Sequence, residues 1–566
     1  MKKLLIYFLF VKLYYIMLNI LNKYRYLIIL VLLTITAICA TFYHNIHLIV
    51  DCGREVYYPQ EILGGKVLYK DLFNIYGPFA YLFNAFLFKI FGINLSVLSV
   101  AGSICAICII LGLFFVAQLF LKEEFAFSIG LIGIAVGIVP AHLFNYVFPY
   151  AFAMSYGLCA FIFSLLFLIC YINSKKNLFL YISLFFAGLS VSCKYEFLLY
   201  VLVYLPVFFR LKTNFNTIFI GLLCFGIVPE MSFAFLFAKG LSISDLLNTA
   251  KIIVNMLQTD TLKYFYIHSG IFFHTEVLKL ILKSFLFMFL TFFVYMIPII
   301  FKDKIKNPVV GLIFTYSAFC LLFLFRFNER FDIFMSLPIV LFLSFLINSK
   351  NIIKNLSVFV LIVSVLLVSL KIFFGALLAS YGVYYIPLLL TACAVCFKEK
   401  MTEKEWGYVG FYITVFSLLI MFFQYKFVSL RNCIIQTPKG KIYTEQEYET
   451  TNKLIDYINK NTKKTDKILI LPEGMMINFL SDRKTDDFYN SMLPLYEETF
   501  GIDSYVEHFK KDMPDYIIFN SWDSKDYYFS IICKDYGFKF CEFTMKNYDK
   551  KIKLSGDFSY VVFKKK

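Results

Sequence analysis

Charge is what this sequence has least of: Asp, Glu, Lys and Arg together make up 16% of its 566 residues, against 60% hydrophobic and 20% aromatic. With a mean hydropathy of +0.74, that scarcity excludes an ordinary soluble enzyme. Tryptophan occurs only as Trp406 and Trp522, and neither asks for a special role. The 14 cysteines show no zinc-ligand spacing. Most of them, such as Cys105, Cys108, Cys159, Cys170 and Cys224, lie in apolar runs, where a thiol acts as a small hydrophobe. Cys433, Cys533 and Cys541 fall in a more polar tail, where three thiols allow at most one disulfide with one left over. No G-x-G-x-x-G and no Gly-Lys-Ser/Thr run occurs, and Gly474 stands alone, so a nucleotide-sugar donor is unsupported. His268, His274 and Glu276 share no helical face that would hold a metal; a divalent metal stays open as a cofactor, with no ligands assigned. The formal charge of +16 comes from Lys and Arg scattered through short loops rather than gathered on a patch, which argues against nucleic acid as a partner.

What the chain does have is apolar runs. A bilayer core takes about 20 apolar residues per helix, and such runs follow one another from residue 26 to residue 428. They predict a polytopic α-helical membrane protein of about 13 transmembrane helices. The spans fall at 26–46, 95–121, 125–140, 150–172, 178–193, 196–209, 216–238, 279–301, 308–325, 333–348, 356–374, 381–397 and 408–428. The basic, apolar start, residues 1–26, has no small-residue cleavage site and reads as an in-plane or partly inserted leader to an uncleaved first span. With the N-terminus in the cytoplasm, Lys23/Arg25, Lys122, Lys175/Lys176, Arg210/Lys212, Lys302/Lys304/Lys306, Lys350/Lys354 and Lys398/Lys400/Lys404 all fall on the cytoplasmic side, as the positive-inside bias asks.

That alternation divides the chain into a transmembrane domain, 1–428, with a first outer loop at 47–94, and an exocytoplasmic tail, 429–566. In the outer loop, PFAYLFNAFLFKIFG is apolar but short and carries Lys89, so it is expected to lie along the membrane surface. In the tail, TNKLIDYINKNTKKTDKILILPEG reads as an amphipathic helix followed by a strand, Ile468 to Leu471, and PDYIIFNS as a second buried strand. A small C-terminal α/β soluble domain is the expectation. The Lys, Asn, Ile and Phe bias resembles that of an AT-rich bacterial genome and points to a bacterial inner (plasma) membrane.

Ionisable residues near a membrane interior are expensive and invite a functional reading. Three clusters sit at outer helix ends: Asp51/Arg54/Glu55, Lys194/Glu196, and Arg326/Glu329/Arg330/Asp332. A pocket built from them suits the transfer of a sugar from a polyprenyl phosphate to an acceptor hydroxyl. The departing lipid phosphate is already a stable anion and needs cations rather than a general acid. The acceptor needs one carboxylate to take its proton, on the face opposite the leaving group. Asp51 is the candidate base.

The pattern D-x-G-R-E at 51–55, then Pro59 and ILGGKVLYKDLFNIYGPFAYLFNAFLFKIFG, resembles the first outer loop of membrane glycosyltransferases of the C superfamily, specifically glycosyltransferase family 39, the protein mannosyltransferase and aminoarabinose transferase type. The resemblance is close over residues 45–95 and looser over the many spans and the outer C-terminal domain. It implies a polyprenyl-phosphate sugar as donor, a glycan, lipid or protein acceptor, and a catalytic Asp at position 51. The chain departs from the pattern in having Asp51-Cys52 where protein mannosyltransferases commonly have Asp-Glu, and it shows no clear counterpart of a second acidic motif in another outer loop.

Arg54, Glu55, Asp71, Tyr76, Lys194, Glu196, Arg326 and Arg330 are the candidate substrate-binding residues. Each has a plainer alternative: bracing Asp51 for Arg54 and Glu55, ordering the loop for Asp71 and Tyr76, an interfacial pair for Lys194 and Glu196, and a tight outer turn for the two arginines. A transporter or flippase of lipid-linked sugars would show mid-span charges and repeated halves, neither of which is seen; a non-catalytic polysaccharide-assembly protein is the remaining alternative.

Overall fold

The computed structural model describes residues 23–275, 277–286, 289, 333–398 and 402–566. The expected span at 308–325, most of the one at 279–301, and Arg326, Glu329, Arg330 and Asp332 lie outside the described residues. Among the described residues five helices are long and apolar enough to cross a membrane: Leu95–Gln118, Phe152–Ser174, Phe215–Ala238, Leu337–Lys354, and the Val409–Leu430 part of the helix Glu403–Leu430. Shorter apolar helices run over Arg25–Thr41 (α1), Asn177–Cys193, Leu356–Val368 and Ile386–Phe397.

Two differences from the expected spans have physical reasons. The first span stops at Thr41 rather than 46, because the chain beyond it is diverted to close the end of the neighbouring helix Glu123–Gly137. There the Asn45 amide donates to the carbonyls of Ile138 at 3.0 Å and Pro140 at 2.8 Å. The run expected at 196–209 begins as a 3-10 helix, Tyr195–Val203, and continues as the α-helix Tyr204–Leu211. At about 2.0 Å per 3-10 residue and about 1.5 Å per α residue, the pair reaches roughly 30 Å, which a purely α-helical run of this length would miss.

The loop expected at 47–94 supplies two helices, Cys52–Leu63 (α2) and Phe79–Phe91 (α3). α3 buries Tyr81, Asn84, Ala85 and Phe88 and turns Phe86, Ile90 and Phe91 outward, the one-sided pattern of a helix with an apolar outer face. Gly77, just before it, packs so closely on the end of Asn177–Cys193 that a Cβ there would lie 2.0 Å from the Ser192 carbonyl oxygen.

After Leu430 come a hairpin, β1 (Cys433–Thr437) and β2 (Gly440–Thr444), and the helix Glu449–Asn461. A four-stranded sheet follows, made of β3 (Ile468–Leu471), β4 (Tyr516–Asn520), β5 (Tyr548–Leu554) and β6 (Tyr560–Lys565) in the order β3-β4-β6-β5. β3 and β4 are parallel, with Ile468 opposite Tyr516, and the other pairings are antiparallel. Every residue of β3 and β4 is buried, as fits continuous apolar strands covered on both faces. Cys533 and Cys541 are disulfide-bonded, and Cys433 is the thiol left over.

This tail sits directly on the loop at 47–94. Gly53 meets the helix Met475–Ser481 backbone to backbone: a Cβ at Gly53 would lie 2.3 Å from the Met476 nitrogen. The Thr485 N–H donates to the Tyr57 hydroxyl at 2.9 Å, and the Lys439 ammonium donates to Gln60 Oε1 at 2.7 Å. Arg431, at the exit of the last helix, donates to the carbonyls of His44 and Ile46 and pairs with Glu445 at 2.9 Å, tying the tail to the chain that leaves α1.

Candidate active site

Asp51 immediately precedes α2 and has φ 60° and ψ −58°, a conformation that L residues rarely adopt. The Cys52 N–H donates to the Val50 carbonyl at 2.7 Å, so Asp51 is the centre of a positive-φ γ-turn, a rare and strained arrangement. Such strain persists only where the surroundings over-determine it, and it clusters at functional sites. Here the surroundings do so from three sides. His47 Nδ1 accepts the N–H groups of Ile49 (3.3 Å) and Val50 (3.2 Å) and shapes the approach to the turn. The Arg54 guanidinium donates to Asp51 Oδ1 at 3.1 Å from one turn along α2. The Asp51 N–H itself donates to a carboxylate from the far end of the chain, Glu473 Oε1, at 3.1 Å.

Glu473 follows β3 by two residues. Its own carbonyl accepts the Asn520 amide at 2.8 Å, and Asn520 is the last residue of β4. The carboxyl-terminal ends of two parallel strands, where open α/β sheets place their ligand crevices, thus deliver Glu473 and Trp522 to one place.

That place is a chamber of about 1350 Å³ lined by Asp51, Arg54, Tyr76, Tyr150, Tyr381, Glu473, Tyr496, Trp522 and Tyr527 at its polar end. Val277, Leu280, Met335, Phe416, Ile420, Phe423 and Phe427 line an apolar side that continues along the helix Glu403–Leu430, and Asp523, Lys525, Asp526 and Asp535 of the tail line another. Among the described residues, the cations on the wall are Arg54 and Lys525.

The sequence-predicted residues divide around this chamber. Asp51, Arg54 and Tyr76 are on its wall. Lys194 stands just behind, its ammonium held 5.3, 5.0 and 5.8 Å from the ring centres of Tyr76, Tyr150 and Tyr381, which line the wall. Arg54 approaches the Tyr76 ring from its own position, at 5.6 Å, so that ring lies near both cations. Glu196 is 3.5 Å from Lys194, accepts the Tyr385 hydroxyl at 2.7 Å, and pairs at 3.1 Å with Lys371. Glu55 is fully buried beneath α2, with one oxygen accepting the Tyr81 hydroxyl (2.6 Å) and the other the Phe152 N–H (2.7 Å). Asp71 is away from the chamber, where it accepts the Val67 N–H at 2.7 Å and closes a turn of the loop at 47–94. Arg326 and Arg330 lie outside the described residues. Sequence reasoning missed Glu473 and Lys371. Glu473 carried no local signal beyond a Pro-Glu-Gly after a strand, and Lys371 was absorbed into an expected span that ends earlier, at Val368.

Burial raises the pKa of Asp51, against the pull of Arg54 and of Lys194. Its side chain keeps 34% of its surface, opening on the chamber, and solvent there moderates the rise. Burial also raises Glu473, to about 8, with Asp51 adding to the effect and Arg54 opposing it. The same cause raises Glu55 and lowers His47 to about 4, which leaves the imidazole a neutral acceptor for its two N–H donors.

Among the described residues, Asp486, His508 and Asp512 form the one group with metal-like spacing, their ligand atoms within 4.8 Å of one another. They do not line the chamber. The Lys467 ammonium already lies 2.9 Å from Asp486 and 2.6 Å from Asp512, so a cation occupies the place that a metal would take.

No family model and no curated protein matches this chain in sequence. Solved structures do match in shape. ArnT from Cupriavidus metallidurans bound to undecaprenyl phosphate aligns over 95% of this chain and 98% of its own, at 9% identity and a TM-score of 0.51. The oligosaccharyltransferase of Archaeoglobus fulgidus, in complex with zinc and sulfate, aligns over 88% of this chain and 68% of its own, at 11% identity and a TM-score of 0.49. The chain has a fold like that of ArnT.

Proposed function

We propose that this protein is an integral membrane glycosyltransferase that moves a sugar from a polyprenyl-phosphate donor to an acceptor hydroxyl on the outer face of the membrane. The carrying observation is the chamber: Asp51 and Arg54 share its polar end, and one apolar wall follows a helix long enough to cross the bilayer. A lipid chain would lie along Phe416, Ile420, Phe423 and Phe427, with its phosphate at the Arg54 end under the added field of Lys194.

In this reading Asp51 takes the acceptor's proton as the acceptor O–H bond breaks. The acceptor oxygen bonds to the anomeric carbon while the bond from that carbon to the phosphate oxygen breaks, and the electron pair leaves with the phosphate. Arg54 does two jobs, orienting Asp51 and facing the anion. No metal enters the scheme. We place the transmembrane part, with about 13 helices by hydropathy, at residues 1–428 and an exocytoplasmic α/β domain at 429–566. The N-terminus would be cytoplasmic and the membrane a bacterial inner membrane. The Cys533–Cys541 disulfide supports this side assignment, because such bonds persist in oxidising compartments. ArnT, which shares the fold, is bound to undecaprenyl phosphate in its structure.

Mass spectrometry of the lipid retained by the full chain purified from its own membranes tests the donor. A polyprenyl phosphate, with or without its sugar, is the expected species; its consistent absence from active preparations would overturn the donor assignment. Protease added outside sealed cells should cleave residues 429–566, and full protection would reverse the orientation.

A further inference from the structure

We propose that Asp51 and Glu473 act as one pair across the junction of the loop at 47–94 and the tail, in which Glu473 is the positioning residue that holds Asp51 in place. The first support is geometric. Glu473 Oε1 accepts the Asp51 N–H at 3.1 Å, the group that the strained γ-turn aims outward, and both residues line the same chamber. Glu473 is 3% exposed, and no cation sits within ion-pair distance of it among the described residues, whereas Asp51 has Arg54 at 3.1 Å.

The charged and titratable groups around the pair divide unevenly. Asp51 faces Arg54 and, through it, Glu55 on α2, and Lys194 at the end of Asn177–Cys193, and its charge is felt by Glu55, Tyr76 and Tyr381. Glu473 faces Arg54 at longer range and Asp51 itself, with the hydroxyls of Tyr58, Tyr496 and Tyr527 nearby. Three carboxyl groups around one guanidinium, Glu55 being 3.6 Å from Arg54 Nε, do not all ionise easily in a buried site, and Asp51, which also has Lys194 and an open face on the chamber, gives up its proton first. The direction of both shifts agrees, since burial raises each and the cations pull Asp51 back.

The consequence deepens the transfer reading, on which only the direction of proton flow depends. A neutral Glu473 keeps its grip on the Asp51 backbone without adding a second negative charge beside an incoming phosphate. As a positioning residue it fixes the base; on losing its proton at higher pH it would repel both the base and the donor.

Infrared difference titration of the purified full chain in lipid nanodiscs, with no substrate present, reads the pair directly. The wild type should show a protonated-carboxyl band at pH 7 that disappears as the pH rises through about 8, and Glu473→Gln should delete that band. Asp51→Asn removes the neighbouring negative charge while leaving Glu473 intact, so the same band should titrate at lower pH. A Glu473 band absent at pH 7, or one whose midpoint is unmoved by Asp51→Asn, would overturn the pairing. Because no turnover is involved, failure of the transfer reading leaves these outcomes unaltered.

Discussion

The tail holds two buried carboxylates at opposite ends of β3, Glu473 just past its carboxyl end and Asp486 packed against Lys467 just before its start, and their surroundings differ in kind. Asp486 is 2.9 Å from Lys467 and 2.7 Å from His508, and its second oxygen accepts the N–H groups of Phe488 and Tyr489. Glu473 accepts one backbone N–H and has another carboxylate beside it, with Arg54 only at longer range. Burial acts on both, yet Asp486 ends below its ordinary range and Glu473 well above it. A carboxylate compensated by its own neighbours is part of the scaffold, while one buried without compensation beside a large chamber marks where a ligand or a proton is handled.

The sharpest way to break that comparison is at the chamber end. Asp51→Asn keeps the size of the side chain and removes its basicity, and a positioned general base contributes about 10²- to 10⁴-fold. Sugar transfer should fall by that factor in a turnover assay with a radiolabelled polyprenyl-phosphate sugar, while the variant still co-purifies with the donor lipid. Unaltered turnover would remove Asp51 from the chemistry and leave the uncompensated Glu473 without a task.

The contact that brings the two regions together is next in size. A Cβ at Gly53 would meet the Met476 backbone at 2.3 Å, and backbone cannot yield as a flexible side chain does. Overpacking of this sort costs about 1–3 kcal/mol. Gly53→Ala should lower the thermal midpoint and speed protease cleavage of the tail, and it should weaken turnover through displacement of Glu473. Normal stability together with normal turnover would show that the tail's seating on α2 is unimportant to the site.

At the other end of β3, Asp486→Asn should lower stability by about 1.5–3 kcal/mol, the scale of hydrogen bonds to a charged group, with turnover unchanged. The sign with pH follows from the shift. Burial alone would raise Asp486, but His508 and Lys467 hold its folded-state pKa below the ordinary 3.8. Its contribution is therefore present above pH 3.8 and lost as the pH falls through the folded value. Denaturant unfolding of the wild type should weaken on acidification in that window, and the Asn variant should lack this part of the loss.

How much of this could be read from the sequence depends on the range of the interaction. Asp51 stood out because a charge directly after the first apolar run is costly unless it faces a cavity, and its loop carried a recognisable residue order. The helix at 79–91, β3 and β4 announced themselves by short local apolar runs. The γ-turn at Asp51 had no signal, because positive φ was not marked by a glycine. Glu473 was illegible because it reaches Asp51 across 422 residues of sequence. Lys371 was misplaced because hydropathy carried a helix past Val368, whereas the chain turns there through a short 3-10 segment, Leu370–Ile372, to reach Glu196.

The smallest expected effect separates packing from charge at the seam between loop and tail. Lys439 bridges Gln60 of α2 at 2.7 Å and Asp482 of the tail at 2.5 Å, and it lies 5.0 Å from the Phe479 ring centre. It joins the same two regions as Gly53, but its partner Asp482 is 44% exposed, and pairs reached by solvent are typically worth about 0.2–1 kcal/mol. Lys439→Ala should thus lower stability by about 0.5 kcal/mol, less at high salt because the ion pair is screened. A loss as large as that of Gly53→Ala, and equally salt-sensitive, would mean that ion pairs rather than close backbone packing seat the tail. The chamber end would then be held by the same local compensation that characterises the Asp486 end.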